Sequence, residues 1–310
     1  MLLSVLLTMG AVAVINHYVE WNSVFNILKA GRKDLLGLAF LCFIANYAIR
    51  TFRIQMLTTE TTDRYFSFFA VTSLYGFFNY IMPFRTGELS YPLMLKKRLG
   101  ISLADGAASL MTARFFDLAT IAVILPLVFM GVYSRIPRWL LISGVLYCLL
   151  IGSFALLFFK LVKTNAFRGG IPFTKGRFGA FLSKVILAVQ KIQEKNRYIL
   201  VWFCTLLIWG CIYLNFYFIV VAMGYRVSLT QMVVVSILSV PISLIPFQGF
   251  ANLGTHELAW VTAFSLYGRK GKEAVEMAVN AHLVLFFLVI VLGLIGWLLF
   301  IVVPKNSERS

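Results

Sequence analysis

Charge is scarce in this chain. Charged residues make up 13% of its 310 positions, with only 12 acids, where an ordinary soluble domain is about a quarter charged. That excludes a protein whose surface is solvated mainly by water. Cysteine is also sparse: Cys42, Cys148, Cys204 and Cys211 all fall inside apolar runs with no C-x-x-C spacing. A thiolate metal centre and a disulfide framework are therefore not expected, and these residues read as small hydrophobes. No N-x-S/T acceptor and no glycine-rich phosphate loop occurs. The one sizeable hydrophilic stretch, 160–198, is too short for a catalytic domain, and no cofactor and no metal is expected. The first hydrophobic run lacks a basic region before it and an A-x-A-like site after it, so it is expected to remain as an uncleaved span.

Apolar residues are abundant, at 60% of the chain. At about 20 residues per crossing, the runs at 2–16, 34–49, 107–131, 139–159, 199–223 and 275–303 predict six spanning helices. The fold class expected is therefore all-α, a polytopic membrane protein forming a single transmembrane domain over 1–310.

The net charge of +16 does not point to nucleic acid, because the basic residues sit between hydrophobic runs and form no separate basic domain. Nine of them, from Lys160 to Arg197, face a single acid, Glu194. The positive-inside rule makes that connection cytoplasmic. Counting outward then puts both termini on the cytoplasmic side of the cytoplasmic membrane, with basic residues favouring the inside roughly two to one. Phe178, Leu182, Val185, Val189 and Ile192 recur at steps of four and three beside Lys184, Lys191 and Lys195. This predicts an amphipathic helix on the anionic inner leaflet. Arg50 and Arg53, at the inner end of the second span, read as snorkelling anchors.

Two segments, 66–95 and 231–267, do not fit a plain span. The first is interrupted by Pro83-Phe84-Arg85-Thr86-Gly87-Glu88, the second by the stretch from Pro246 through Gly249 and Gly254 to His256 and Glu257. Both interruptions open on Pro-Phe, carry glycine soon after and end in glutamate, about half the chain apart. Proline removes a backbone donor and glycine permits irregular backbone, so each should be a break between half-helices. Irregular backbone at membrane depth survives only inside protein or beside a water-filled cavity. Three complete spans separate the breaks, so two re-entrant hairpins here would enter from opposite faces, as an inverted repeat of 1–160 and 161–310. Such paired interruptions point to a transport site near the bilayer midplane. The plainer account is a pair of ordinary proline kinks.

Ionisable residues within a bilayer need a partner, a cavity or a function. The candidates are Arg85, Glu88, Arg114, Asp117, His256, Glu257 and His282. Arg114 and Asp117, three apart on one helix, could simply neutralise each other. Read functionally, Arg85 and Arg114 hold a lipid phosphate, while Glu88, Asp117 and Glu257 balance them or receive a cationic headgroup. His256 and His282 are candidates for proton coupling.

Taken together, the Arg50-Thr51-Phe52-Arg53 helix end, the Pro83 to Glu88 patch, Arg114-Phe115-Phe116-Asp117 and the late segment from Pro246 to Glu257 resemble the lysylphosphatidylglycerol synthase transmembrane-region family. This is the flippase-like membrane domain of the multiple peptide resistance factor. The resemblance implies translocation or display of membrane lipids, among them aminoacylated phospholipids, glycolipids and polyprenyl-linked lipids. Two departures stand out. The chain ends at Ser310 without the soluble synthase domain of two-part members, and Ala113 precedes Arg114 where an acid is expected in many relatives. Three functions follow as expectations: a lipid flippase, a membrane enzyme modifying a headgroup, or a non-transporting partner of a lipid synthase or glycosyltransferase.

Overall fold

The computed structural model describes residues 2–58, 64–163, 189, 197–243 and 249–303. Among these the chain is helical, with no strand. The helices are α1 (Leu2–Tyr18), α2 (Trp21–Ala30), α3 (Lys33–Thr58), α4 (Tyr65–Ile81), α5 (Ser90–Leu99), α6 (Leu103–Val132) and α7 (Arg138–Lys163). They continue with α8 (Tyr198–Ala222), α9 (Leu229–Ser243), α10 (Thr255–Ser265) and α11 (Gly271–Val302). The expected amphipathic helix over 178–197 lies outside the described residues, Val189 and Arg197 excepted, as does Pro246.

Among the described residues five helices, α3, α6, α7, α8 and α11, are long and apolar enough to cross a bilayer. They match five of the six expected spans. The sixth, over 2–16, is helical as α1, but its 17 residues reach only about 25 Å at 1.5 Å per residue, short of a roughly 30 Å hydrocarbon core. The spans turn large apolar side chains outward: Leu149, Leu150 and Leu156 on α7 and Ile301 and Val302 on α11 are all more than half exposed. In water such faces would be unpartnered, whereas lipid solvates them at no cost.

Two compact units divide the chain. The first comprises residues 1–47, 73–88 and 209–295. In it Ile15, Val19, Val24 and Val279 form a buried cluster that ties α1 and α2 to α11. The Asn215 side-chain amide donates to the Ala39 carbonyl at 2.8 Å, satisfying a buried polar group inside an apolar helix pair. α9 and α10 pack against each other.

The second unit comprises residues 48–72, 89–208 and 296–310. Met56, Leu57, Phe115, Phe116, Val201 and Cys204 meet in its core, so Cys204 acts as the small hydrophobe expected of it. α6 starts at Ser102, whose hydroxyl accepts the Asp105 N–H at 3.1 Å, an ordinary N-cap. α6 then packs on α5 and α7.

Both expected interruptions exist. After α4 the chain makes a 3-10 turn over Pro83–Leu89 before α5 begins. Here Gly87 is required by packing: a Cβ on it would collide with the backbone of Phe78 and Asn79, so the turn folds flat against the end of α4. After α9 a short 3-10 turn, Phe250–Asn252, precedes α10.

Candidate functional site

The second break is the better-defined centre, and it is built from the backbone upward. Ala251 (φ 52°) and Asn252 (φ 61°) are consecutive non-glycine residues in the left-handed region. Each such residue costs on the order of 1–2 kcal/mol, and it persists where its surroundings over-determine it. The surroundings here do so. The Phe250 N–H donates to Thr8 Oγ1 of α1 at 3.0 Å, and Thr255 Oγ1 donates to the Asn252 carbonyl at 2.9 Å. Gly254, at φ 84°, sits where a Cβ would lie 2.8 Å from that of Ala11. A first helix expected to be a plain span therefore braces this break.

α10 begins directly after it. Glu257, in the first turn, accepts the Gly254 N–H through Oε2 at 2.7 Å, the returning half of a capping box. Its other oxygen, Oε1, meets Nδ1 of His282 on α11. Nε2 of the same imidazole lies 2.9 Å from the Ala251 carbonyl, which can only accept. Both ring nitrogens of His282 thus face acceptor oxygens, so the Glu257 and His282 pair holds one proton between carboxylate and imidazole. Glu257 and His282 are only 6% and 4% exposed. A charge pair so enclosed persists only with its partners in place.

His256 stands beside this pair. Its ring centroid is 4.6 Å from that of His282 and 5.0 Å from that of Trp260, on which it stacks. Neither of its nitrogens reaches solvent or has a hydrogen-bond partner among the described residues. A cavity of about 240 Å³ opens beside the cluster, lined by apolar side chains such as Val12, Ile15, Leu283 and Phe286 together with Glu257 and His282.

The first break belongs to the same unit. Tyr80, three residues before Pro83, makes an edge contact with His282 at 5.9 Å between ring centroids. Its hydroxyl is shut from solvent and has no hydrogen-bond partner among the described residues. Arg85 lies on the 3-10 turn, and Glu88 is half-buried at its end. His282 therefore touches the flank of one break through Tyr80 and the end of the other through Glu257. Tyr80 was not singled out in the sequence, because a tyrosine in an apolar run carries no signal of its own.

Asp117 and Arg114 lie in the second unit, and there Asp117 has a further partner that the sequence did not suggest. Asp117 binds Arg53, with Nη1 donating to Oδ1 at 2.6 Å and Nη2 to Oδ2 at 3.3 Å. Arg53 Nη1 also donates to Thr205 Oγ1 at 2.9 Å. Arg53 is 2% exposed, so it is an internal ion-pair partner and no snorkelling anchor. The two-pronged guanidinium fork matches the two carboxylate oxygens. Arg114 and Arg50 act on Asp117 through their charge.

An all-helical, multi-pass membrane chain whose buried ionisable groups gather where its helices are interrupted is the class that fold and site define. Within that class the chain belongs to the family described as the lysylphosphatidylglycerol synthase TM region, whose model matches residues 1–293. It is also similar to the glycosyltransferase AglD of Haloferax volcanii, at 28% identity over 130 residues. That stretch is 41% of this chain and 20% of AglD, so the chain spans about a fifth of the curated relative it matches.

Proposed function

We propose that this protein is a lipid flippase of the cytoplasmic membrane, carrying a phospholipid, glycolipid or polyprenyl-linked lipid between leaflets, with its polar headgroup passing through the interrupted helices. The observation that carries the reading is the meeting of both breaks in one unit, through Tyr80, His282 and Glu257. A headgroup crossing roughly 30 Å of hydrocarbon needs polar groups at depth while its tails stay in lipid. Broken helices supply them, since their backbone donors and acceptors are not all used within the helix. In this reading Arg85, Glu88, His256 and Glu257 line the headgroup path of their unit, and Arg114 offers a further anion contact in its own. The Arg53 and Asp117 pair is a structural lock.

The similarity to part of a glycosyltransferase supports a second reading, in which the chain is a membrane partner of a glycosyl-transfer enzyme and moves no lipid. Reconstitution into proteoliposomes separates the two: leaflet-resolved, protein-dependent movement of a candidate lipid is the flippase result. Retention of a glycosyltransferase at the membrane without such movement is the partner result.

The inverted arrangement of the breaks has its own test. Three spanning helices, α6, α7 and α8, separate Lys97 from Arg226. Single cysteines at Lys97 and Arg226 in a cysteine-free background are expected to react with an impermeant maleimide from opposite faces, Lys97→Cys from the cytoplasm. Labelling of both from one face contradicts the inverted arrangement.

A further inference from the structure

Three donor groups converge at the second break: an imidazole nitrogen of His256, an imidazole nitrogen of His282 and a carboxylate oxygen of Glu257, all within 4.8 Å of one another. Two of them are held as metal ligands usually are. The second nitrogen of a ligating histidine normally donates to a carbonyl or carboxylate, and ligating carboxylates are themselves hydrogen-bonded. His282 Nε2 lies 2.9 Å from the Ala251 carbonyl, and Glu257 Oε2 accepts the Gly254 N–H at 2.7 Å. Those contacts leave His282 Nδ1 and Glu257 Oε1 facing each other. The strained Ala251 backbone is what aims that carbonyl at the imidazole.

The third donor has no hydrogen-bond partner among the described residues. A proton shared by Glu257 and His282 satisfies those two groups, yet it does nothing for His256, whose two nitrogens are both buried and unpartnered among the described residues. An unpaired buried polar group is costly and calls for a partner. A cation placed among the three donors satisfies His256 and takes the place of the shared proton at once.

We propose that His256, Glu257 and His282 form a binding site for a divalent transition-metal ion of the zinc type. Two imidazoles and one carboxylate are a recognised three-ligand set for an open zinc site, with metal–donor distances of about 2.0–2.2 Å. Tetrahedral donors at that distance stand roughly 3.3 Å apart, so the 4.8 Å spread closes by small side-chain rotations about the ion. Magnesium and calcium, which favour oxygen donors throughout, do not suit two imidazoles. The adjoining cavity, whose otherwise apolar lining includes Glu257 and His282, leaves room for a fourth, exchangeable ligand: water or an anionic oxygen.

This assignment does not rest on lipid transport, and its test needs none. The full chain, purified in detergent with any histidine tag removed, is titrated with Zn²⁺ and separately with Co²⁺, and its metal content is measured after dialysis. One Zn²⁺ per chain is expected, together with the intense visible absorption of four-coordinate Co²⁺ in place of the pale spectrum of the six-coordinate ion. His256→Phe and His282→Gln should each weaken Zn²⁺ binding by at least about 100-fold, the upper end of what loss of an outer-shell partner costs. The third histidine, His17, is exposed, and His17→Ala should bind Zn²⁺ as wild type does. His256→Phe removes two orphaned nitrogens and should melt no lower than the metal-free wild type, so its loss of binding cannot be laid to misfolding. Absence of stoichiometric Zn²⁺ binding, a six-coordinate Co²⁺ spectrum in the wild type, or wild-type affinity in His256→Phe overturns the proposal. If a variant does not fold, the wild-type Co²⁺ spectrum decides alone.

Discussion

Asp117→Leu lowers the stability of the folded protein by about 3–5 kcal/mol, the cost of leaving one member of a buried ion pair without its partner. The side chains of Arg53 and Asp117 are only 3% and 9% exposed. Removal of the carboxylate strands a guanidinium whose remaining hydrogen bond among the described residues is to Thr205 Oγ1. The informative part is the double variant. Adding Arg53→Met to Asp117→Leu replaces both charges with apolar groups of similar length, and buried ion pairs so replaced are often neutral or more stable. Thermal unfolding in detergent should therefore show Asp117→Leu melting far below wild type and the double variant recovering most of the loss. That non-additivity is the signature of direct contact. If Asp117→Leu melts with wild type, or the second substitution adds to the loss, the pair does not hold the unit together as described.

Glu257→Ala is the second large effect, again about 3–5 kcal/mol when measured in chelator. It removes the acceptor for the Gly254 N–H and the partner of His282 Nδ1 in one step. Glu257→Gln should be much milder, about 1–2 kcal/mol. The amide oxygen can still accept from Gly254, and the amide nitrogen can donate to a neutral imidazole. Unfolding of both variants side by side separates the capping role, kept in glutamine, from the charge, lost in both. Equal destabilisation would show that the charge alone matters, and wild-type melting of Glu257→Ala would remove the cap from the account.

The fold was largely legible because lipid makes the pattern strong. A run of about 20 apolar residues has one economical conformation in hydrocarbon, and five such runs became α3, α6, α7, α8 and α11. The helix interruptions at Pro83–Leu89 and Phe250–Asn252 fall where the sequence expected them, and Gly87 and Gly254 there each meet a close neighbour, as glycine's freedom from a Cβ allows. The convergence of His256 and Glu257 with His282 was not legible, since 25 residues separate Glu257 from its partner and only the packing of α10 beside α11 brings them together. The candidate histidines were visible; their mutual geometry was not. The hydrogen-bonded partner of Asp117 across the helices was missed for the same reason. Sequence proximity favoured Arg114, whereas Arg53 lies 64 residues away. Its position at a helix end imitated a surface anchor, and burial decided otherwise.

The measurement that bears most directly on the central claim is leaflet-resolved translocation of phospholipid, glycolipid and polyprenyl-linked lipids in proteoliposomes at matched protein density. It compares wild type with Arg85→Ala at the first break and Glu257→Gln at the second. Passage of a headgroup through the interrupted helices predicts wild-type-dependent movement of at least one of these lipids that falls at least about tenfold in both variants, equivalent to about 1.4 kcal/mol at the barrier. Movement that is equal in wild type and both variants, or absent for every lipid class, would contradict it.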